Sequence, residues 1–348
     1  MLPQSRGYDT LLYEPRSEDI LLLGGEAAPE PGFASGLPGN GGVWSFAPGP
    51  NRWSSLYGSI PLGLDTSITY DTKAARVIVY VSFHPDPQSP NLLGIDFASE
   101  TWAFDPATGV WENRNPAQTP PPGLLAGGAQ MAYNARSGKT IMFGGLDLVL
   151  FEQFLKGCAQ GNCDNSLLPL IETNHTWVYD YFANTWTDTT PEVSPPNRNS
   201  HALVYDTAAD RVILFGGGDF FVDYNDTWAY DYRHNTWTQL NPATQPLPRS
   251  YGFMAYNSEQ DRIVLFGGVD YTETQIYGDT WVFNYWDQTW TFLNPHVSPS
   301  PRGWFGMAYS PTANLVMIFG GGTDREHFTD ETWTYRLGPN KWAQVPKP

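Results

Sequence analysis

Six times along the chain two tryptophans stand nine residues apart: Trp44/Trp53, Trp102/Trp111, Trp177/Trp186, Trp228/Trp237, Trp281/Trp290 and Trp333/Trp342. A fixed internal spacing copied through the whole length means one supersecondary unit repeated about an axis or along a line. The pairs use twelve of the fourteen Trp, so this aromatic content belongs to a scaffold rather than to one reactive centre. Most pairs carry the same short words: Thr-Trp-x-Tyr/Phe-Asp/Asn at the first Trp and Asn/Gln-Thr-Trp-Thr at the second.

A chain of 348 residues ordinarily suggests two or three domains, but six repeats favour one closed domain. Abundant Gly, Pro and aromatics with few Lys and Arg fit many short strands joined by tight turns. No amphipathic helix of ordinary length is evident, and no apolar run approaches the length of a membrane span. The formal net charge of −17 disfavours nucleic acid, which wants a basic face. The first residues, Met-Leu-Pro-Gln-Ser-Arg-Gly, lack a basic stretch followed by an apolar core. They fit a mature secreted or surface protein without its leader, or a cytoplasmic one. The only cysteines, Cys158 and Cys163, lie in one long loop. A disulfide is the favoured reading and implies an oxidising compartment; free thiols or half of a metal site are the alternatives.

The fourth repeat shows the unit most clearly. His201–Asp206 alternates as a strand, Thr207–Asp210 reads as a turn, and Arg211–Phe215 is an apolar strand ending in Gly216-Gly217-Gly218. Asp226–Asp231 and Asn235–Leu240 give the third and fourth strands. The diglycine recurs at Gly24-Gly25, Gly144-Gly145, Gly267-Gly268 and Gly320-Gly321; the second repeat carries Val81-Ser82 there. Glycine at a strand end permits backbone conformations and close approaches denied to other residues.

An apolar strand ending in Gly-Gly, followed by a Trp at set distance, resembles the kelch repeat. The resemblance covers the chain from Arg6 to Trp342. It implies an all-β fold, a six-bladed β-propeller of four-stranded antiparallel blades. The blades would span approximately residues 4–57, 58–117, 118–190, 191–241, 242–294 and 295–346 of a single domain. Every repeat reads from first to fourth strand, so closure should rest on packing of blade one against blade six, without strand exchange.

Strand order assigns the loops to faces. Loops joining strands one to two and three to four share one side and are short. Those joining strands two to three, and one blade to the next, share the other. Between diglycine position and Trp stand eighteen, nineteen and thirty-one residues in the first three repeats, against ten to twelve in the last three. The long-loop face, with residues 26–43, 83–101 and 146–176, is therefore the expected working face. The 146–173 loop is apolar and suits a lid or a protein-binding patch.

Seven residues before the first-strand Tyr stand Arg6, Arg198, Arg249 and Arg302, with Gly63 and Ala126 in the second and third repeats. With Tyr251, Trp304 and His201 nearby, they suggest a funnel mouth for an anionic or sugar ligand. The competing reading is that a residue recurring in register serves the repeat itself. Asp226, Asp279, Glu100 and Glu331 precede Thr-Trp and read as strand-end acceptors. Asp324, Glu326, His327 and Asp330 form an oxygen-rich loop better read as a solvated turn than as a calcium loop.

No catalytic motif stands out, and no metal or cofactor is expected. Galactose-oxidase-like copper chemistry needs a Cys joined to a Tyr, and both Cys here lie in one peripheral loop. Nitrile-specifier-like iron sites use Glu-x3-Asp-x3-His; Glu326 and Asp330 begin that pattern, but Thr334 stands in place of the His. A sialic-acid-mutarotase-like activity would need an Arg and an acid/base pair, His201 being the first candidate. The expectation is a non-catalytic, monomeric binding propeller that presents its long-loop face to a glycan or protein. A sugar-modifying enzyme and a scaffold subunit are the rivals.

Overall fold

Each repeat begins as a tight hairpin whose turn chemistry is visible residue by residue. In the fourth, strands Ala202–Asp206 and Arg211–Phe215 pair antiparallel. The Asp206 carboxylate accepts the amides of Ala208 and Ala209, and Asp210 closes the turn with φ 56°. Asp and Asn tolerate that left-handed geometry better than bulkier residues do. Asp261 and Asn314 take the same place in the next two repeats, and Asn184, Asn235 and Asn340 close the turn between the third and fourth strands of theirs; each side chain accepts the hydroxyl of the Tyr five residues earlier.

The computed structural model describes residues 2–26, 42–59, 67–86, 88–124, 128–324 and 327–347. It contains six four-stranded antiparallel sheets, each of four consecutive strands in sequential order. They form a six-bladed propeller. Leucine, isoleucine, valine and phenylalanine of each second strand alternate into the two neighbouring seams. Ile213 and Phe215 pack toward blade five, while Val212 and Leu214 pack toward blade three.

The second Trp of five of the six pairs pins a blade to the one before it. The indole N–H of Trp237 donates to the Thr176 hydroxyl at 2.9 Å. Trp290 repeats this with Thr227, Trp342 with Thr280, and Trp186 with Thr101. Blade one has Val43 at the matching place, and Trp111 of blade two remains half-buried.

The diglycines have an equally specific cause. The amide of the second glycine donates to the carbonyl of the next blade's rim arginine: Gly145 to Arg198, Gly217 to Arg249, Gly268 to Arg302 and Gly321 to Arg6, each 2.9 Å. A Cβ on Gly216, whose φ is +67°, would lie 2.6 Å from the Arg249 carbonyl oxygen. The step to the next blade thus passes too close for any side chain.

Closure uses these same joints and no exchanged strand. Gly321 bonds Arg6, and Trp53 of blade one donates to Thr332 of blade six at 2.9 Å. Gly306 lets the two innermost strands meet, since a Cβ there would stand 2.8 Å from the Leu11 side chain.

Two expectations are corrected. The 146–173 segment is not an open loop: it holds a helix, α1 (Leu148–Ala159), and a single turn, α2 (Leu168–Ile171). Asp147 caps α1 by accepting the amides of Val149 and Leu150, both at 3.0 Å. The 83–101 segment is mostly strand, because Arg76–Pro85 and Ile95–Asp105 extend past the blade as a hairpin with Phe83 opposite Phe97. Most of the 26–43 segment lies outside the described residues.

Candidate functional site

The recurrent arginines sit where the chain turns from the rim into the innermost strand. Arg198, Arg249 and Arg302 are fully buried. Arg198 grips Asp226 with two bonds of 2.6 and 2.8 Å, donates to the Gly216 carbonyl at 2.9 Å and to Pro196 at 3.1 Å. Its guanidinium also stacks over Tyr224, 4.3 Å from the ring centroid. Arg249 repeats the set with Asp279, Gly267, Leu247 and Tyr277. Arg302 bonds Glu331, Gly320 and Ser300. Arg6 bonds Gly24 and Gln4 and faces Asp9.

This corrects the expectation of guanidinium groups ringing a funnel mouth. Arg198, Arg249 and Arg302 each spend four of the five guanidinium N–H donors within their own blade, and burial closes the rest to a ligand carboxylate. Asp226, Asp279 and Glu331 also accept the indole N–H of Trp228, Trp281 and Trp333. Glu100 does so for Trp102, and it lies 3.3 Å from the His84 Nε2. The strand-end acceptors are therefore where the sequence reading put them, but their pairing with the arginines escaped it. A signal was present: the fourth, fifth and sixth repeats have both the Arg and the acid, whereas the third has neither. Gly63 and Ala126 lie outside the described residues.

His201 does not reach the axis. It is buried in the seam between blades three and four, edge-on to Phe143 with centroids 5.5 Å apart. Neither ring nitrogen has a hydrogen-bond partner among the described residues. Burial, with the Arg198 charge beside it, drives its pKa well below the ordinary histidine value, so it stays neutral. Trp304 is likewise buried, packed on Tyr251 at 5.4 Å and on Tyr8 at 6.3 Å. Tyr8, Tyr251 and Trp304 all hold φ between 54° and 59°, the left-handed kink that follows each rim arginine.

A cavity of about 370 Å³ runs along the axis between the six innermost strands. Tyr8, Tyr251, Ser200 and Gly128 lie at its long-loop end, and Pro15, Thr72, Ala135 and Thr207 at the other. Its wall is largely apolar, with Leu11, Ile68, Met131 and Met254. Asp9 also contributes; burial pushes its carboxyl well above the usual range, which Arg6 and the Gly306 amide only partly offset.

The rest of the long-loop face is built by three blades acting together. Leu148 and Ile171 are buried beneath the blade-three insertion. The Leu148 amide bonds the Gly123 carbonyl at 2.9 Å, and Phe151 stacks on Phe220 of blade four with centroids 5.8 Å apart. The Tyr271 hydroxyl of blade five donates to the Phe220 carbonyl. Cys158 and Cys163 are disulfide-bonded and close the chain after α1. Asp324 pairs with His327, and Asp330 with Lys347 at 2.6 Å; Glu326 lies outside the described residues. No described helix is long and apolar enough to cross a membrane.

Among curated proteins the chain is similar to the flagellar outer-arm dynein alpha chain of Chlamydomonas reinhardtii, 27% identical over 44% of this chain and 3% of that one. It is also similar to Mei4-dependent protein 6 of Schizosaccharomyces pombe, 26% identical over 36% of this chain and 19% of that protein. A third relative is tRNA wybutosine-synthesizing protein 4 of Eremothecium gossypii, 25% identical over 57% of this chain and 30% of that protein. The chain spans less than a third of the length of each. Residues 157–348 match the KLHDC2/KLHL20/DRC7 Kelch-repeats domain, more than half of the chain. With six four-stranded blades, four of whose junctions pair a diglycine with a rim arginine, the chain belongs to the kelch-repeat propellers.

Proposed function

We propose that this propeller is a non-catalytic, monomeric binding module that docks a protein on its long-loop face. The carrying observation is where large apolar side chains are exposed. Leu92, Val149, Leu170, Phe221, Val222 and Tyr271 are exposed at the ends of the long loops, whereas the short-turn side exposes Val110, Phe182 and Trp286. Contiguous exposed apolar surface held on rigid elements suits association with another macromolecule. The kelch fold, which generally serves protein interaction, supports the same reading. A glycan at the funnel mouth loses its main support, because the arginines that would hold it are buried within the blades. An acid/base pair in the axis loses His201 for the same kind of reason. The disulfide supports an extracytoplasmic setting. Thiol alkylation of protein isolated from its source, followed by mass measurement, should leave both cysteines unlabelled; labelled cysteines would remove that support.

The test of the docking face is affinity capture from the source cell with three proteins: wild type, Phe221→Asp and Phe182→Ser. The expected result is one or more proteins recovered by wild type and Phe182→Ser and lost with Phe221→Asp. Recovery that survives Phe221→Asp and fails with Phe182→Ser would move the site to the opposite face.

A further inference from the structure

We propose that the partner docked on this face presents a cationic segment with a large apolar side chain, seated on the ridge Phe221–Val222–Tyr271 beside α1. This rests on the long-loop face being the docking face. The ridge is one surface because its parts are tied to each other. Phe151 of α1 stacks on Phe220, the Tyr271 hydroxyl holds the Phe220 carbonyl, and the Asp219 carboxylate accepts the amides of Phe221 and Val222. Phe221, Val222 and Tyr271 then stand 49–58% exposed on a preorganised support.

Charge decides the sign of the partner. The elements that carry the ridge, residues 147–160, 218–226 and 269–279, hold eight carboxylates and a single base, Lys156. That base is committed to Glu152 at 2.7 Å. Asp226 and Asp279 are balanced by buried Arg198 and Arg249. Asp147, Asp219, Asp223 and Asp270 lie around the apolar side chains with no other basic residue on these three elements to pair with them. A further carboxylate lies beneath them: Glu172 is 2% exposed, sits beside Asp219, and its Oε1 has no hydrogen-bond partner among the described residues. By contrast the short turns of the opposite side hold Arg16, Lys73, Arg76, Arg136, Arg211 and Arg233 among their acids. A cation reaching the ridge relieves mutual repulsion of these carboxylates, while its apolar anchor covers Phe221 and Val222.

A random peptide library of about twelve residues displayed on phage tests this, selected on the intact protein and on Phe221→Ser/Val222→Ser. Both substituted residues are exposed, so thermal unfolding of the variant should match wild type. The expected winners carry a net charge of about +2 or more with one large apolar residue, and bind about tenfold more weakly at high salt than at low. They should bind the variant at least about tenfold more weakly. Winners that lose binding to the variant but are neutral or acidic would overturn the cationic partner and leave the docking face standing. Absence of enrichment, or winners indifferent to the variant, would overturn both.

Discussion

Replacing Arg249 separates the two roles that a recurrent rim arginine can have. Arg249→Ala removes two bonds to Asp279 of 2.6 and 2.9 Å, the bond to the Gly267 carbonyl at 3.0 Å, and the stack on Tyr277 at 4.1 Å. Removing one member of a buried ion pair costs about 3–5 kcal/mol. Asp279 keeps 24% of its side chain exposed and can recruit water, which places the pair at the lower end. The unsatisfied Gly267 carbonyl adds about 1 kcal/mol, for a total near 4 kcal/mol. Urea denaturation should show the midpoint falling by on the order of 1 M. Asp279→Asn alone should cost less, because Arg249 keeps its two carbonyl partners, and the double variant should cost less than the sum. The loss should also shrink in acid. Burial alone would raise the Asp279 carboxyl, but Arg249 and the Trp281 indole outweigh it and hold it below the ordinary range. A depressed carboxylate stabilises the fold above its unfolded pKa and loses that contribution as pH falls through the folded one. An Arg249→Ala protein as stable as wild type that had lost a ligand would refute this reasoning and return the arginines to the funnel.

Two other outcomes follow from buried polar groups. Burial, reinforced by Asp219 and only partly offset by the Phe220 amide, lifts the Glu172 carboxyl to about 7. A raised acid stabilises the fold below its unfolded pKa, and that contribution is lost as pH rises from the ordinary carboxylate value through 7. Glu172→Gln should therefore exceed wild type in stability by roughly 2–3 kcal/mol at pH above that value and match it in mild acid, read by denaturant titration across pH; a constant difference at all pH would contradict it. Thr227→Val strips the buried Trp290 indole of its acceptor at 3.0 Å and should cost about 1–3 kcal/mol in the same assay. An effect near zero would mean that the interblade pins are incidental.

The sequence carried the architecture because each blade needs the same local solutions. Trp pairs set the outer strands, diglycines mark the close passage of the next blade, and Asn or Asp closes the turns. The unread features lay where a solution joins residues far apart in the chain. Arg249 and Asp279 are thirty residues apart, and neither alone reveals that it neutralises the other. Counting them repeat by repeat would have done so, since blades four, five and six carry both. The missed helix is a different case. Leu148, Phe151 and Leu155, with Leu150 and Phe154, recur at helical spacing behind the capping Asp147. Their apolarity was visible, and their period would have distinguished a helix from a loop.

That distinction changes what the long-loop face can do. An open apolar loop would have to order itself against each partner and lose conformational entropy in doing so. Here the cap on Asp147, the Cys158–Cys163 bond and the buried Leu148 and Ile171 fix the insertion before any partner arrives. The Phe151–Phe220 stack and the Tyr271 hydroxyl then carry that rigidity across blades four and five. Arg198, Arg249 and Arg302 contribute from below, because each holds its own strand-end acid and lends its carbonyl to the preceding blade's diglycine. They belong to recognition as supports: they keep blades three, four and five in register, and so keep three loops on one surface.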